Sequence, residues 1–424
     1  MSRDPIRSPS STLRPRWLAT CLAGAALAGS LGWSSTVWAS SQAQELARAE
    51  QRLVAILTQI ERREINAALR AVAELTEEVP NFRAAQLLYA DLLRMRTGSG
   101  PMGAQLAQTQ TTPSTSNRSV ADQSIAPPEF FQGLQSELQR RRQAAVDLPP
   151  PGMIPSNFLH LSPSVRHAIA VDASRSRLYV FANGPQGMEL ISNFYVTVGR
   201  NGVHKRAEGD QRTPLGVYFV GRQIPGEKLP ELYGKGALTV NYPNDWDRLQ
   251  GRTGSGIWLH GVPSDQFARV PQASDGCVVL SNPDISFLME SIDRRTPVLI
   301  AEKLDWVTPQ WTTQQHKQDS FMQGLEQWQA AWRQGDTQRL SALYSAELAG
   351  AEPLSKRRSR LSSYGPLASL AIDDMSVYNW REAAGEIRIV NLHVATKGGN
   401  SPTVRQYWRK QDGRWQIFSE DVLS

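Results

Sequence analysis

The stretch IWLHGVPSDQFARVPQASDGCVVLSN, residues 257–282, decides the reading of this chain. It sets His260 shortly before Cys277, and Cys277 stands between a glycine and a short apolar run. The 424 residues hold two cysteines, and one of them is here. A cysteine in such a place is either a small apolar residue at a strand end or a nucleophile with an imidazole as its base.

The flanks of the chain bear on that choice. Arg14 and Arg16 precede an apolar run from Trp17 to Trp33, and Val37-Trp38-Ala39 follows with Ser40 after it. This pattern predicts a secretory signal peptide over 1–39, cleaved after Ala39. The run is short and Gly-rich for a membrane span, and Thr20 argues against a lipoprotein site at Cys21. Four arginines and one aspartate leave with the leader, so the net charge falls from +6 to +3. Much of the basic character therefore belongs to targeting. No basic run is long enough to favour nucleic acid as a partner. Cys21 leaves too, and an exported chain with one thiol cannot close an internal disulfide. The expected location is the periplasm, in association with the cell wall.

Length predicts two or three domains. Leu46, Leu53, Ile56 and Ile60, then Leu69, Val72 and Leu75, recur at helical spacing and place a helical domain over 40–96. It resembles a tetratricopeptide hairpin, but a single unit cannot bury its own face, so packing on the next domain is expected. Residues 97–128, rich in Gly, Ser, Thr, Gln and Pro, read as a flexible linker. Residues 129–164 read as a helix and a Pro-rich connector.

From 165 to 302 the pattern shifts to short alternating strands with one helix after Asn282, carrying Ile285, Leu288, Met289 and Ile292. Residues 303–318 read as a second linker. From 319 onward Phe321, Leu325, Trp328 and Trp332 line one helix face, and strands follow, the last two joined at Asp412-Gly413. Helices followed by antiparallel strands predict an α+β unit over 319–424.

Three segments together resemble a known family. EGDQRTPLGVY (208–218), IWLHG (257–261) and SDGCVVLSN (274–282) are similar to the YkuD-type L,D-transpeptidase catalytic domain, whose signature is His-Gly, a spacer, then Ser/Thr-His-Gly-Cys. The resemblance covers 165–302. It implies Cys277 as nucleophile, His260 as base, and Gly261 as the residue whose carbonyl orients the imidazole. Two positions depart from the pattern. Asp275 stands where the family has a second histidine, and Val279 where an arginine is often found. The C-terminal unit resembles the nuclear-transport-factor-like, SnoaL-type cone. The fold class expected is thus multidomain: an N-terminal α-helical segment, a central mostly-β YkuD-type domain and a C-terminal α+β cone.

The chemistry of the residues agrees. Acyl transfer from an amide needs a nucleophile, a proton carrier and an oxyanion site. A neighbouring imidazole lowers a thiol pKa, and the backbone N–H groups of Ser274-Asp275-Gly276-Cys277 are candidates for the oxyanion site. Gly276 lets the substrate approach the backbone. Tyr242 and Trp258 are candidates to line the donor cleft, Arg212 to meet a substrate carboxylate, and Asn282 to steady the loop carrying Cys277. Asp275 is a candidate to bias the charge of the dyad. His260 and Cys277 supply only two metal ligands, and His160, His167, His204, His316 and His393 show no paired spacing, so no metal is expected.

The resemblance implies peptidoglycan stem peptides as donor and acceptor, with no cofactor. Cys277 attacks the carbonyl of the third residue, D-alanine leaves, and an amine of a neighbouring stem takes the acyl group. A hydrolase using the same dyad remains open, as does a wall-binding scaffold with weakened catalysis. The helical and C-terminal units are expected to meet wall or other cell-wall proteins, with Trp380, Trp408 and Trp415 as candidate contacts of the cone.

Overall fold

The computed structural model describes residues 41–96, 128–395 and 402–423. The expected signal peptide, Cys21 and all of the 97–128 linker but its last residue lie outside them.

Helices Ser41–Glu61, Ile65–Glu78 and Arg83–Arg96 form, with Pro128–Val146, the N-terminal helical part. Leu53, Ile56, Leu69, Val72, Leu75, Leu88 and Leu92 are its buried face, and Leu134 of the fourth helix completes it. Phe267, from the segment between His260 and Cys277, belongs to the same core, its ring 4.2 Å from that of Phe82. The bundle thus packs on the central domain, as the hairpin's open face required. Each such large side chain removed from water contributes about 1.5–3 kcal/mol. A buried ion cluster adds to the contact. Arg141 lies between Glu137 and Glu50, each at 3.0 Å, and Glu50 also meets Arg177 of the catalytic sheet at 2.6 Å.

That sheet has eight strands, in the order Val278–Val279, Trp258–His260, Gly236–Val240, Gly216–Pro225, Pro297–Ala301, His167–Asp172, Arg177–Gly184 and Gly187–Tyr195. Two pairings are parallel: 278–279 with 258–260, and 297–301 with 167–172. The central strands are rich in Val, Ile and Leu because both faces are covered. Helix Asn282–Ser291 starts where Ser281 accepts a hydrogen bond from the Asp284 amide, with a proline in its first turn. It lays Ile285 and Leu288 on the sheet.

The C-terminal sheet runs Arg414–Leu423, Thr403–Gln411, Gly385–Ala395, Ala371–Glu382, and then Phe158–His160. Two expectations need correcting here. The 303–318 segment is not a linker: Trp306–Val307 pairs with Ile154–Pro155, and Pro309–Gln318 is a helix. Nor is 129–164 a passive connector, because its residues 158–160 supply the fifth strand of the C-terminal sheet. Low local apolar content hid both; pairing partners far along the chain create them. Alternation does the rest. Tyr378, Ile387, Ile389, Tyr407 and Phe418 face the catalytic core, while Val377, Val390, Leu392, Trp408 and Ile417 face the helix Ser320–Gln334.

Candidate active site

Strand pairing closes the gap between His260 and Cys277. Val278 lies opposite Leu259 and Val279 opposite His260. Cys277, one residue before its strand, is therefore level with Trp258, on a neighbouring strand about 4.8 Å away. Leu280 N–H donates to the His260 carbonyl at 2.8 Å and holds the register.

His260 is 3% exposed, and its Nδ1 lies 2.7 Å from the Gly261 carbonyl. A carbonyl can only accept, so Nδ1 carries the proton and Nε2 keeps the lone pair a base needs. Burial pushes the imidazole pKa down to about 4; the Gly261 carbonyl opposes this, and Arg269 adds to it. Gly261 is fixed in turn. Its N–H donates to the carbonyls of Tyr233 and Gly236, both at 3.2 Å, and a β-carbon there would sit 2.3 Å from Asn282 Oδ1.

Cys277 is partly exposed, and its Sγ lies 3.4 Å from the Gly256 carbonyl. Burial pushes the thiol up to about 11, against the Trp258 backbone N–H, which favours the thiolate; Asp275 raises it further, and Arg269 and Lys205 lower it. The expected lowering by the imidazole is not seen. The thiol donates to a carbonyl rather than to His260, and a neutral imidazole offers no charge to stabilise a thiolate. At rest the thiol and the imidazole are both neutral.

A direct prediction follows for alkylation by iodoacetamide. Raising pH deprotonates the thiol, so the rate should climb about tenfold per pH unit between pH 8 and 10, without a plateau near neutrality. At pH 8 a thiol near 11 is about one part in a thousand ionised, against about a quarter for an ordinary thiol. The free protein should therefore react about two hundredfold more slowly than a model thiol. A plateau near pH 7 would show a preformed ion pair.

The loop before Cys277 is braced from within. Ser274, 2% exposed, donates through Oγ to the Cys277 carbonyl at 2.7 Å and accepts from the Gly276 N–H at 3.1 Å. Thr213 Oγ1 donates to the Gly276 carbonyl at 2.9 Å. Gly276 has φ 124°, and a β-carbon there would lie 2.7 Å from the Arg212 carbonyl. Only glycine fits. These contacts narrow the expected oxyanion site. The Gly276 amide is engaged and Ser274 is a brace, whereas the Cys277 N–H has no acceptor among the described residues.

Other candidates divide. Trp258 stays at the site, 5.0 Å from the Tyr233 ring, which itself stands 4.8 Å from the His260 ring. Tyr242 does not line a cleft: it is 5% exposed, packs in the catalytic core against Tyr218, and donates to the Thr253 carbonyl at 3.0 Å. Arg212 turns its guanidinium onto the Val203 carbonyl at 2.9 Å, so its backbone, not its charge, meets the cysteine loop. Asn282 steadies the loop after His260 rather than the one carrying Cys277, accepting from Lys235 N–H at 3.0 Å and Val262 N–H at 3.3 Å. Asp275 projects into solvent, with Arg200 at 3.8 Å. The sequence reading missed Tyr233, Arg269, Lys205 and Gly256. None stands in a signature segment except Gly256, just ahead of one, and only tertiary packing brings them to Cys277.

Of the C-terminal tryptophans, Trp408 and Trp415 pack in the core, and Trp408 is fully buried. Trp380, largely buried, edges a polar cavity of about 1650 Å³ between the C-terminal sheet and the catalytic domain, shared with Lys205, Arg252, Trp311 and Glu382.

The family model of the L,D-transpeptidase catalytic domain (YkuD) matches residues 166–300. Bdellovibrio bacteriovorus Bd1075 is similar in structure, with TM-score 0.50 and 24% identity over 64% of this chain and 98% of that one. The helical cell shape determining protein Pgp2 from Campylobacter jejuni gives TM-score 0.49 and 21% identity over 63% and 95%. An L,D-transpeptidase (Yku) from Stackebrandtia nassauensis gives 0.25 and 16% over 41% and 67%. A search of curated proteins finds no match.

Proposed function

We propose that this chain is an exported acyl-transfer enzyme of the cell wall, acting on peptidoglycan stem peptides through a thioester at Cys277. The observation that supports this is the pairing of strands 258–260 and 278–279, which puts a partly exposed thiol and a histidine in the base tautomer on neighbouring strands, inside a region matched by the L,D-transpeptidase domain.

In this reading the thiol swings from the Gly256 carbonyl toward His260 Nε2 and gives up its proton as sulfur attacks the donor carbonyl. The S–C bond forms, and the oxyanion meets the Cys277 N–H. Collapse breaks the C–N bond, and the proton on Nε2 passes to the departing amine of D-alanine. The low imidazole pKa makes His260 a strong acid once it is charged, which suits protonation of a poor leaving group. An incoming amine then gives its proton to His260 as its nitrogen bonds the acyl carbon, the C–S bond breaks, and the proton on Nε2 returns to the Cys277 sulfur. If water comes instead, the same dyad hydrolyses the thioester. The helical part and the C-terminal unit, read as a SnoaL-type cone, serve in this proposal to meet wall or protein partners.

Purified protein mixed with disaccharide tetrapeptides decides the matter by mass spectrometry. Cross-linked dimers with released D-alanine support transfer, and shortened monomers without dimers support hydrolysis. Unchanged substrate with active-site Cys277 intact would sink both.

A further inference from the structure

We propose that Arg269 is the receptor for the free carboxylate of the residue that leaves, so that the site reads peptide ends; this rests on the peptide-processing role given above. The arginine sits on the connection between His260 and Cys277. Its backbone is pinned: the Arg269 carbonyl accepts from Tyr195 Oη at 3.0 Å and Thr197 Oγ1 at 2.9 Å. The strand Gln272–Ser274 then runs beside Val198–Gly199 up to the cysteine loop.

The guanidinium crosses to the facing loop, where Nη2 donates to the Leu232 carbonyl at 3.4 Å. The next residue, Tyr233, holds its ring against His260 and Trp258. The charge therefore ends at the wall of the dyad. Electrostatics agrees, since Arg269 acts on both His260 and Cys277.

The guanidinium is also underused. It is partly buried, has five N–H donors, and makes that one long bond. Among the described residues no carboxylate lies within 4.0 Å of it. The buried Arg141, Arg177 and Arg388 pair with Glu137 at 3.0 Å, Glu50 at 2.6 Å and Asp319 at 2.7 Å, the half-buried Arg252 pairs with Asp247 at 2.9 Å, and the buried Arg405 donates to Asn391 at 2.8 Å and stacks on Phe219. A planar fork left half-desolvated, on which Asp275 acts only from a distance, is complementary to a carboxylate. Val279, where the family often has arginine, is apolar and 2% exposed, so this cation comes from another loop.

The loop is held from outside the catalytic domain. Phe267 N–H donates to the Asn81 carbonyl at 3.1 Å, Asn81 Nδ2 to the Ser264 carbonyl at 3.3 Å, and Phe267 packs on Phe82. The helical bundle thereby positions the arginine.

Calorimetry on full-length Cys277→Ala protein tests the assignment without turnover. Two synthetic stem tetrapeptides serve as probes, identical except that one ends in a free acid and the other in an amide. The acid should bind about tenfold or more tightly than the amide. Adding Arg269→Gln should bring the two within about twofold by weakening the acid alone, and Arg269→Lys should restore part of the difference. Equal binding of acid and amide, a preference that survives Arg269→Gln, or no binding of either would overturn it. Failure of the wild type to turn over stem peptides would leave the acid preference standing. Turnover with no acid preference would remove Arg269 and leave the proposed function.

Discussion

Cys277→Ala should abolish acyl transfer, lowering turnover on the order of 10⁴-fold or more, while leaving the fold intact. The loss follows from chemistry. No other side chain near His260 can form a thioester, and alanine offers no nucleophile. The fold survives because the thiol contributes little to it: the residue is partly exposed, and its hydrogen bond to the Gly256 carbonyl is long at 3.4 Å. The loop is held instead by Ser274, Thr213 and Gly276. Stability should change by less than about 1 kcal/mol. Intact mass after exposure to a carbapenem gives a second readout. The wild type should gain one covalent adduct, and the variant none. An unmodified wild type would favour a wall-binding scaffold, and residual transfer by the variant would remove Cys277 from the mechanism.

The largest stability effect is expected at Arg141→Ala. The guanidinium is 1% exposed, joins Glu50 and Glu137, and lies 3.8 Å over the Tyr195 ring. Its removal leaves Glu137 without its cation and Glu50 with Arg177 alone, a loss of about 3–5 kcal/mol. Urea unfolding at constant pH measures it. The loss should be smaller at pH 5 than at pH 8. Without Arg141, burial raises the folded-state pKa of Glu137 further, since no other cation offsets it. A raised pKa means stability held at low pH and lost as pH climbs through that value. In the native protein Glu137 already lies above the usual range, by burial that Arg141 only partly offsets, whereas Glu50, facing both Arg177 and Arg141 as well as burial, lies below it. Adding Glu50→Gln and Glu137→Gln should recover part of the loss. A variant as stable as wild type at pH 8 would show the cluster to be neutral. The effect should reach the active site, because the same bundle holds the Phe267 loop.

Much was legible in the sequence where the deciding property is local. Alternation in 167–172 and 177–184 marked strands, and the spacing of Phe321, Leu325, Trp328 and Trp332 marked a buried helix face. The Ser-x-Gly-Cys loop was identified by residue type, since the positive φ of Gly276 and the bracing role of Ser274 suit few residues. Strands at Ile154–Pro155 and Phe158–His160 were not legible. Two or three residues carry no measurable period, and their partners lie far away at 306–307 and in 371–382. Tyr242 was misplaced for a related reason: an aromatic beside a turn reads alike whether it lines a cleft or fills a core.

By itself the sequence marked His260 and Cys277 as the candidate pair, most of the strands and helices of 165–302 and 319–424, and the glycine that the cysteine loop demands. These depend on residue type and short-range spacing. The tertiary structure decided which loop carries the free cation, which amide is left for an oxyanion, and why the thiol and imidazole both rest uncharged. Those depend on burial and on partners brought together across the sheet, and desolvation is a property of the assembled surroundings rather than of any stretch of chain.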